Sequence, residues 1–280
     1  MSDPLARLTP LQRSLLFKWF PALEVMRDHS WGLVDTHVLE VVSNGQRFIV
    51  KAAAPGDRHL IRELRAHREW LEPWRLAGRA PVLEHADDEA KLIVTRYLSG
   101  RLVEGTSAQD DPDTYRQAGR LLSAFHEQYS GQDAEWNERA RQRVLRFLDQ
   151  PHRIERRIES RVRSEVSNWA GVSATVVPTH GDWQPRNWLT EGGEVRAIDF
   201  GRADLRPADE DFVRLARQDF ARNPLLETAF LDGYGHDPRQ PETWCRAVVG
   251  EAVATAVWAY HVGDEEFEEV GHAQLRQLFA

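Results

Sequence analysis

Residues 180–201 read His180-Gly181-Asp182-Trp183-Gln184-Pro185-Arg186-Asn187, then ten residues, then Ile198-Asp199-Phe200-Gly201. The first segment has the form His-x-Asp-x-x-x-x-Asn. The second is an Asp-Phe-Gly that closes the apolar run Val195-Arg196-Ala197-Ile198. Between them, Asn187-Trp188-Leu189-Thr190 and Val195-Arg196-Ala197-Ile198 have the pattern of two short strands. Glu191-Gly192-Gly193-Glu194 is polar and glycine-rich, as a hairpin loop requires. Such a hairpin places Asp182, Asn187 and Asp199 around one pocket.

These residue types suit phosphoryl transfer. That reaction asks a protein for positioning and charge neutralisation more than for covalent chemistry. Asp182 is placed to orient an acceptor hydroxyl and take its proton. Mg²⁺ prefers hard oxygen ligands, and an amide oxygen (Asn187) with a carboxylate (Asp199) supplies them. A lone His-x-Asp or a lone Asp-Phe-Gly is weak evidence. Both, in this order and one short hairpin apart, are a specific signal.

On these segments the chain resembles the aminoglycoside phosphotransferase and choline kinase-like branch of the protein-kinase-like fold. No Lys lies between Asp182 and Asn187, and Gly181 stands where protein kinases commonly have Arg. Pro207-Ala208-Asp209-Glu210-Asp211-Phe212 resembles the family's Pro-Ala-x-Asp-Leu stretch with one extra residue. Either Glu210 or Asp211 is then the structural acid, and Asp211 is the preferred one. An Ala-Pro-Glu motif and a long activation segment are absent, which argues against a phosphorylation switch and against a protein substrate. The resemblance covers most of the chain. It implies a bilobal α+β fold, with a small β-rich nucleotide-binding lobe over residues 1–99. The larger, mainly helical catalytic and acceptor-binding lobe covers 100–280, with a helical insertion at about 131–170.

The amino-terminal half carries the matching parts. Val38-Leu39-Glu40-Val41-Val42 and Arg47-Phe48-Ile49-Val50-Lys51 flank Ser43-Asn44-Gly45-Gln46, a strong hairpin signal. The resemblance makes Lys51 the phosphate-pairing lysine that ends the third strand. A helix over 59–74 follows, with Leu60, Leu64, Trp70, Leu71 and Trp74 near one face. Glu63 on that helix is the expected partner of Lys51, with Glu69 the alternative. Lys91-Leu92-Ile93-Val94-Thr95-Arg96-Tyr97-Leu98-Ser99-Gly100 reads as the last strand and the hinge. By resemblance, Thr95 lies behind the purine and the backbone of Arg96 and Leu98 bonds it, which leaves ATP versus GTP open. The phosphate-covering loop matches least. Asp28-His29-Ser30-Trp31-Gly32-Leu33-Val34-Asp35-Thr36, between strands at 23–27 and 37–42, has one glycine instead of Gly-x-Gly-x-x-Gly. Ser30 either helps hold a phosphate or is a turn residue.

A helix is expected over 114–129. Its Gly119-Arg120-Leu121-Leu122-Ser123-Ala124-Phe125-His126 resembles the family's Gly-x-Leu-Leu-x-x-Leu-His element. His126 reads as a structural hydrogen-bonder, and His180 as the residue that orients the catalytic loop. Trp183, one of ten tryptophans, either packs against the lobe or stacks on a ligand ring.

Two segments bear on the acceptor and point in opposite directions. Residues 136–169 are Arg-rich and helical in pattern. A solvated pair of helices with i,i+4 contacts explains them, and an anionic acceptor is the sharper alternative. Asp264-Glu265-Glu266-Phe267-Glu268-Glu269 is acidic and follows the apolar Ala252-Val253-Ala254-Thr255-Ala256-Val257-Trp258-Ala259-Tyr260. It reads either as a helix start favoured by the dipole or as a wall for an amine. Asp204, Asp209 and Glu210 could also serve an amine. The resemblance tips the balance toward an amine-bearing acceptor.

Composition sets the outer bounds. A chain of 280 residues with 41% hydrophobic and 29% charged content suits a globular kinase-sized unit. A net charge of −8 argues against broad nucleic-acid binding. The single cysteine, Cys245, excludes an intramolecular disulfide and a multi-Cys zinc site, and its helical context suggests an inert core position. No signal-peptide pattern and no membrane-length apolar run occur, so a cytoplasmic enzyme without a membrane partner is expected, as monomer or homodimer. The expected activity is ATP- and Mg²⁺-dependent O-phosphorylation of a small hydroxylated acceptor. An antibiotic or aminoglycoside-like acceptor comes first. A metabolic alcohol such as choline, homoserine or a sugar is the alternative. A nucleotide-binding pseudokinase is a third reading, set against the presence of every core residue.

Overall fold

The computed structural model describes residues 4–30, 36–169 and 173–279. In chain order the helices and strands begin with α1 (Pro10–Trp19), β1 (Leu23–Asp28), β2 (His37–Ser43), β3 (Gln46–Ala52), α2 (His59–Glu69) and α3 (Glu72–Leu76). Then come β4 (Leu83–Asp87), β5 (Leu92–Arg96), β6 (Arg101–Leu102), α4 (Pro112–His126), β7 (Gly131–Asp133), α5 (Trp136–Leu148) and α6 (Arg156–Ser167). The last are β8 (Ala174–Thr179), β9 (Trp188–Glu191), β10 (Glu194–Ala197), β11 (Asp204–Arg206), α7 (Val213–Leu215), α8 (Pro224–Tyr234), α9 (Pro241–Val262) and α10 (Glu265–Phe279). Among the described residues no helix is long and apolar enough to cross a membrane.

The chain divides into two compact units. The first holds Met1–Phe125, His180–Asp204 and Asn223–Gly235; the second holds His126–Thr179, Leu205–Arg222 and His236–Ala280.

The first unit is built on an antiparallel sheet of order β1-β2-β3-β5-β4. Its central hairpin turns at Asn44-Gly45, both at positive φ (50° and 75°), the conformation a two-residue hairpin needs and that Asn-Gly adopts readily. Strand alternation then sorts β3. Phe48, Val50 and Ala52 join Leu16, Phe20, Leu39, Val41, Leu92 and Val94 in the core beneath α1. Lys51 falls on the other face, where Leu60 and Leu64 of α2 pack on Ile93. Helix α1, unsuspected in the sequence, starts with a capping box between Thr9 and Gln12. The buried Gln12 amide also donates to Ala53 O (3.0 Å) and Ala90 O (2.7 Å), which pins α1 to the sheet.

The helix expected over 59–74 is two helices. The amides of Trp70 and Leu71 both turn back to Ala66 O (2.9 and 3.1 Å), and α3 starts afresh at Glu72. Pro73 is the cause. It has no N–H to continue the ladder and is tolerated only in a first turn, where it now sits. The next helix, α4, begins at Pro112 and ends at His126, short of 129. It crosses α8 at two reciprocal glycines. A Cβ at Gly119 would lie 2.2 Å from Phe230 O, and one at Gly233 1.9 Å from Arg116 O.

The second unit is mainly helical. Helices α5, α6, α9 and α10 share one core, including Val144, Leu148, Ile158, Val162, Trp169, Val253, Val257 and Leu275. The small sheet β11-β8-β7 completes it. Three of the eight arginines of α5 and α6 form local pairs: Arg141 with Glu138, Arg163 with Glu159 and Asp149, and Arg139 with Asp133. The acidic segment is also largely spent on structure. Asp264 accepts from Phe267 N (3.0 Å) at the start of α10, and buried Glu268 bonds Arg153 and His272. Cys245 is exposed, contrary to the core position expected for it. Its spacing to Val249, Ala252 and Ala256 puts Cys245 in line with the buried side of α9, but it lies near the start of the helix, before the first buried residue, Ala247.

Candidate active site

All described residues expected to act on the nucleotide or the metal lie in the first unit. The catalytic segment is folded by its own local chemistry. Gly181 has φ +75°, which explains a glycine there. His180 is fully buried, its Nε2 3.0 Å from Ile198 O, so it ties the Asp182 loop to the strand that leads into Asp199. Strands β9 and β10 pair antiparallel around Gly192 and Gly193, both at positive φ. Beneath the loop lies an aromatic layer in which Trp183 packs on Trp74 (5.5 Å), Trp188 (5.3 Å) and His180 (5.2 Å). Trp183 is 1% exposed, so it takes the packing role and not ligand stacking.

Asp182 is held from several sides. Asn187 Nδ2 donates to its backbone carbonyl (2.8 Å) and to its carboxylate (3.0 Å). Gln184 Nε2 donates to Oδ1, and Arg186 Nη2 lies 2.7 Å from Oδ2. With its amide nitrogen committed to Asp182, Asn187 turns its side-chain oxygen the other way.

Lys51 Nζ is 2.8 Å from Glu63 Oε1 and 3.0 Å from Asp199 Oδ1. Burial alone would push the ammonium's pKa down, but the carboxylates of Asp199 and Glu63 outweigh it and hold the pKa above its ordinary value. For Glu63 burial wins, aided by Asp199 and opposed by Lys51, and its carboxyl is raised. Asp199 goes the other way, lowered chiefly by Lys51 against burial and against repulsion from Asp182. Glu69 pairs with Arg65 at the surface instead. Asp199 has φ +65°, a conformation few non-glycine residues adopt, and Asp tolerates it better than most. Its side chain is 53% exposed, so the carboxylate remains open to a ligand. His59 Nδ1 at the start of α2 is 3.0 Å from Gly201 O, which ties that helix to the segment after Asp199.

The hinge is joined to the same structure. Thr95 is buried on β5, opposite Ile49. Arg96 turns its side chain to Glu84 (2.7 Å), and its amide donates to Val82 O. Ser99 Oγ donates to Glu191 (2.7 Å), and Arg196 donates to Ser99 O (3.0 Å), which fastens the end of the hinge to the catalytic hairpin. Ser30 is used as a turn residue. Its hydroxyl accepts from Val38 N (3.0 Å) and its amide donates to Asp28 Oδ1 (2.9 Å). The rest of the expected phosphate loop, 31–35 with Gly32, lies outside the described residues.

In the second unit, His126 Nε2 lies 3.1 Å from Asp211 Oδ2, and both are buried. That is a structural pair, and it involves Asp211 and not Glu210. The sequence reading missed the two donors on the Asp182 carboxylate, Gln184 and Arg186. The polar pair flanking Pro185, within four residues of Asp182, was the available signal.

This arrangement is that of a protein-kinase-like fold: one unit holds a small antiparallel sheet with a Lys–Glu pair together with the candidate catalytic segment, and the other is mainly helical. Residues 29–246 match the phosphotransferase enzyme family, and the chain belongs to it. It is a small-molecule phosphotransferase. Choline kinase LicA from Streptococcus pneumoniae is similar in structure, with TM-score 0.67, 16% identity, and 97% of this chain and 99% of that one covered. Aminoglycoside phosphotransferase APH(4)-Ia, solved as a thermostable mutant with ADP and hygromycin B, gives 0.64, 11%, 97% and 98%. Macrolide 2'-phosphotransferase MphH from Brachybacterium faecium gives 0.62, 18%, 94% and 96%. No curated protein matches the sequence.

Proposed function

We propose that this protein moves the γ-phosphoryl group of a nucleoside triphosphate, ATP first, to a hydroxyl of an antibiotic-like, amine-bearing small molecule. The observation that carries the reading is the convergence of Glu63 and Asp199 on Lys51 Nζ, at 2.8 and 3.0 Å, in the same unit as an Asp182 gripped by Asn187. Asp182 takes the proton as the acceptor oxygen forms its bond to the γ-phosphorus. The bond from that phosphorus to the bridging oxygen breaks, and its electron pair leaves with the nucleoside diphosphate. Lys51, oriented by Glu63, binds the phosphates. Thr95 backs the purine, and the hinge backbone at Arg96 and Leu98 bonds it. Ser30 would have to give up its bond to Val38 to reach a phosphate, so we assign it to the turn.

The donor set fits Mg²⁺. Among the described residues no group of three or more His, Cys, Asp or Glu side chains could hold a metal by itself. Mg²⁺ is commonly held by one or two protein oxygens together with substrate phosphates. The half-exposed Asp199 carboxylate and the side-chain oxygen of Asn187, turned away from Asp182, are the groups that would hold it. When bound, it supplies charge neutralisation on the phosphate oxygens.

A metabolic small alcohol is the second reading, favoured by the likeness to a choline kinase. An ADP-release screen with Mg·ATP or Mg·GTP against amino sugars, macrolides, choline, homoserine and simple sugars tests both. Turnover on an antibiotic-like amine supports the first reading, and turnover confined to choline, homoserine or sugars supports the second. Nucleotide binding without turnover on any acceptor would leave a pseudokinase.

A further inference from the structure

Arg186 sits four residues after Asp182, on the single helical turn Pro185–Asn187. Its Nη2 is 2.7 Å from Asp182 Oδ2, and its side chain is 43% exposed, whereas the Asp182 side chain is 5% exposed. Gln184 and Asn187, the other donors to that carboxylate, are each 5% exposed. Arg186 is therefore the one movable donor of the three. No described group engages its Nε or Nη1. A guanidinium presents five donors in a planar fork, so most of this one's hydrogen-bonding capacity remains for a ligand.

Charge at the site points to what that ligand is. Lys51 is one cation among three carboxylates, Glu63, Asp182 and Asp199, and two of the three already contact it. Mg²⁺ held by Asp199 and Asn187 would offset part of that negative charge, and a guanidinium at the site would offset more. Arg186 is the cation that touches Asp182. The acceptor oxygen and the transferring phosphorus must meet beside Asp182, so a guanidinium already on that carboxylate is within reach of the phosphoryl oxygens.

We infer that Arg186 is a catalytic residue that moves from Asp182 to the transferring phosphoryl group, an inference that rests on the phosphotransferase site proposed above. The guanidinium donates to equatorial oxygens of the phosphoryl group as the bond to the nucleoside diphosphate breaks. It exchanges one anionic partner for another, so no bare charge is left behind.

Calorimetric titration of the protein and of its Arg186→Gln and Arg186→Lys variants with Mg·ADP and with the non-hydrolysable Mg·AMPPNP tests this. The expected result for Arg186→Gln is a loss of about tenfold or more in AMPPNP affinity, the scale of a charge-assisted hydrogen bond, with ADP affinity changed by less than about twofold. Arg186→Lys keeps the charge and should recover part of the loss. With an acceptor in hand, Arg186→Gln should lower kcat by about 10²-fold or more and leave the acceptor KM nearly unchanged. Equal losses for ADP and AMPPNP, or no loss for either, would overturn the assignment and leave Arg186 as a loop ion pair. Failure of the unaltered protein to bind either nucleotide would instead overturn the phosphotransferase site itself.

Discussion

The ammonium of Lys51, at the end of β3, lies 2.8 Å from the carboxylate of Glu63 on α2. Strand alternation puts Lys51 on the α2 face of the sheet, and the helical stripe that buries Leu60 and Leu64 also turns Glu63 inward. Both side chains are largely buried, at 17% and 7% exposure, so removing one partner leaves the other uncompensated. Lys51→Ala should lower kcat/KM for the nucleotide by about 10²-fold or more, the scale of a lost phosphate-binding charge. The sign of its stability effect follows from Glu63, whose pKa is already raised by burial. A raised carboxyl stabilises below its unfolded pKa and loses that contribution as pH climbs through the folded value. Lys51 also holds the Asp199 carboxyl low, so the variant loses support from both acids as they ionise. Urea denaturation should therefore show a small deficit near pH ~3 that grows to several kcal/mol near pH ~8. Equal destabilisation at both would mean that Glu63 does not carry the penalty.

Asp182→Asn keeps the side-chain shape and removes the proposed proton acceptor. Turnover should fall about 10²-fold or more, while nucleotide binding persists. Near-normal turnover on a verified acceptor would move the base elsewhere.

For the metal, Asp199→Ala should abolish productive Mg²⁺·nucleotide binding. It also releases one of the two acids on Lys51. Asn187→Ala should leave weakened activity that more Mg²⁺ restores in part, because an amide contributes no charge. It should also loosen Asp182, which loses two hydrogen bonds. Titration of Mg²⁺ against rate separates the two, and an unchanged Mg²⁺ dependence in both variants would remove these residues from the metal site.

Much of this architecture was legible in the sequence because it is local. Asn44-Gly45 and Gly192-Gly193 specify two hairpins through their own backbone preferences, and the strands around them alternate in the usual way. The spacing of Lys51 and Glu63 was legible for the same reason. What escaped the reading depends on partners distant in sequence. Helix α1 is fixed by Gln12 reaching Ala53 and Ala90, and β4 gains its place only by pairing with β5. The break at Trp70-Leu71 could have been read, since Pro73 stands two residues on. Cys245 was misplaced because a helical context does not say how near its start the helix becomes covered, and α9 is first buried at Ala247. Arg186 was given no role. Only the geometry of the loop brings its guanidinium to Asp182.

The charged segments of the second unit give a contrast for the acceptor. Arg156 and Arg157 are exposed, as are Glu265 and Glu266, whereas Glu268 is buried. With an amine-bearing acceptor, Glu265→Gln with Glu266→Gln should raise the acceptor KM and leave the nucleotide KM unchanged. Arg156→Glu with Arg157→Glu should leave both unchanged. Exposed pairs contribute only about 0–1 kcal/mol, so a shift beyond about fivefold marks a charge that meets the acceptor. A screen in which only carboxylated or phosphorylated acceptors react would overturn the preference for an amine.

Asp209 gives a pH test independent of catalysis. It is 1% exposed, accepts a hydrogen bond from the Thr243 hydroxyl at Oδ2, and has no partner at Oδ1. Burial pushes its pKa from 3.8 up to about 6, with Glu210 adding to the rise and Thr243 opposing it. The folded protein thus binds this proton more tightly than the unfolded chain does. Its contribution to stability is complete below pH ~4 and is lost as pH rises through ~6, amounting to roughly 2–3 kcal/mol. Asp209→Asn keeps an oxygen for Thr243 and removes the charge. It should match the parent near pH ~4 and exceed it by roughly 2 kcal/mol near pH ~8, read from urea midpoints. A variant less stable than the parent at the higher pH would show that the ionised carboxylate has a compensating partner.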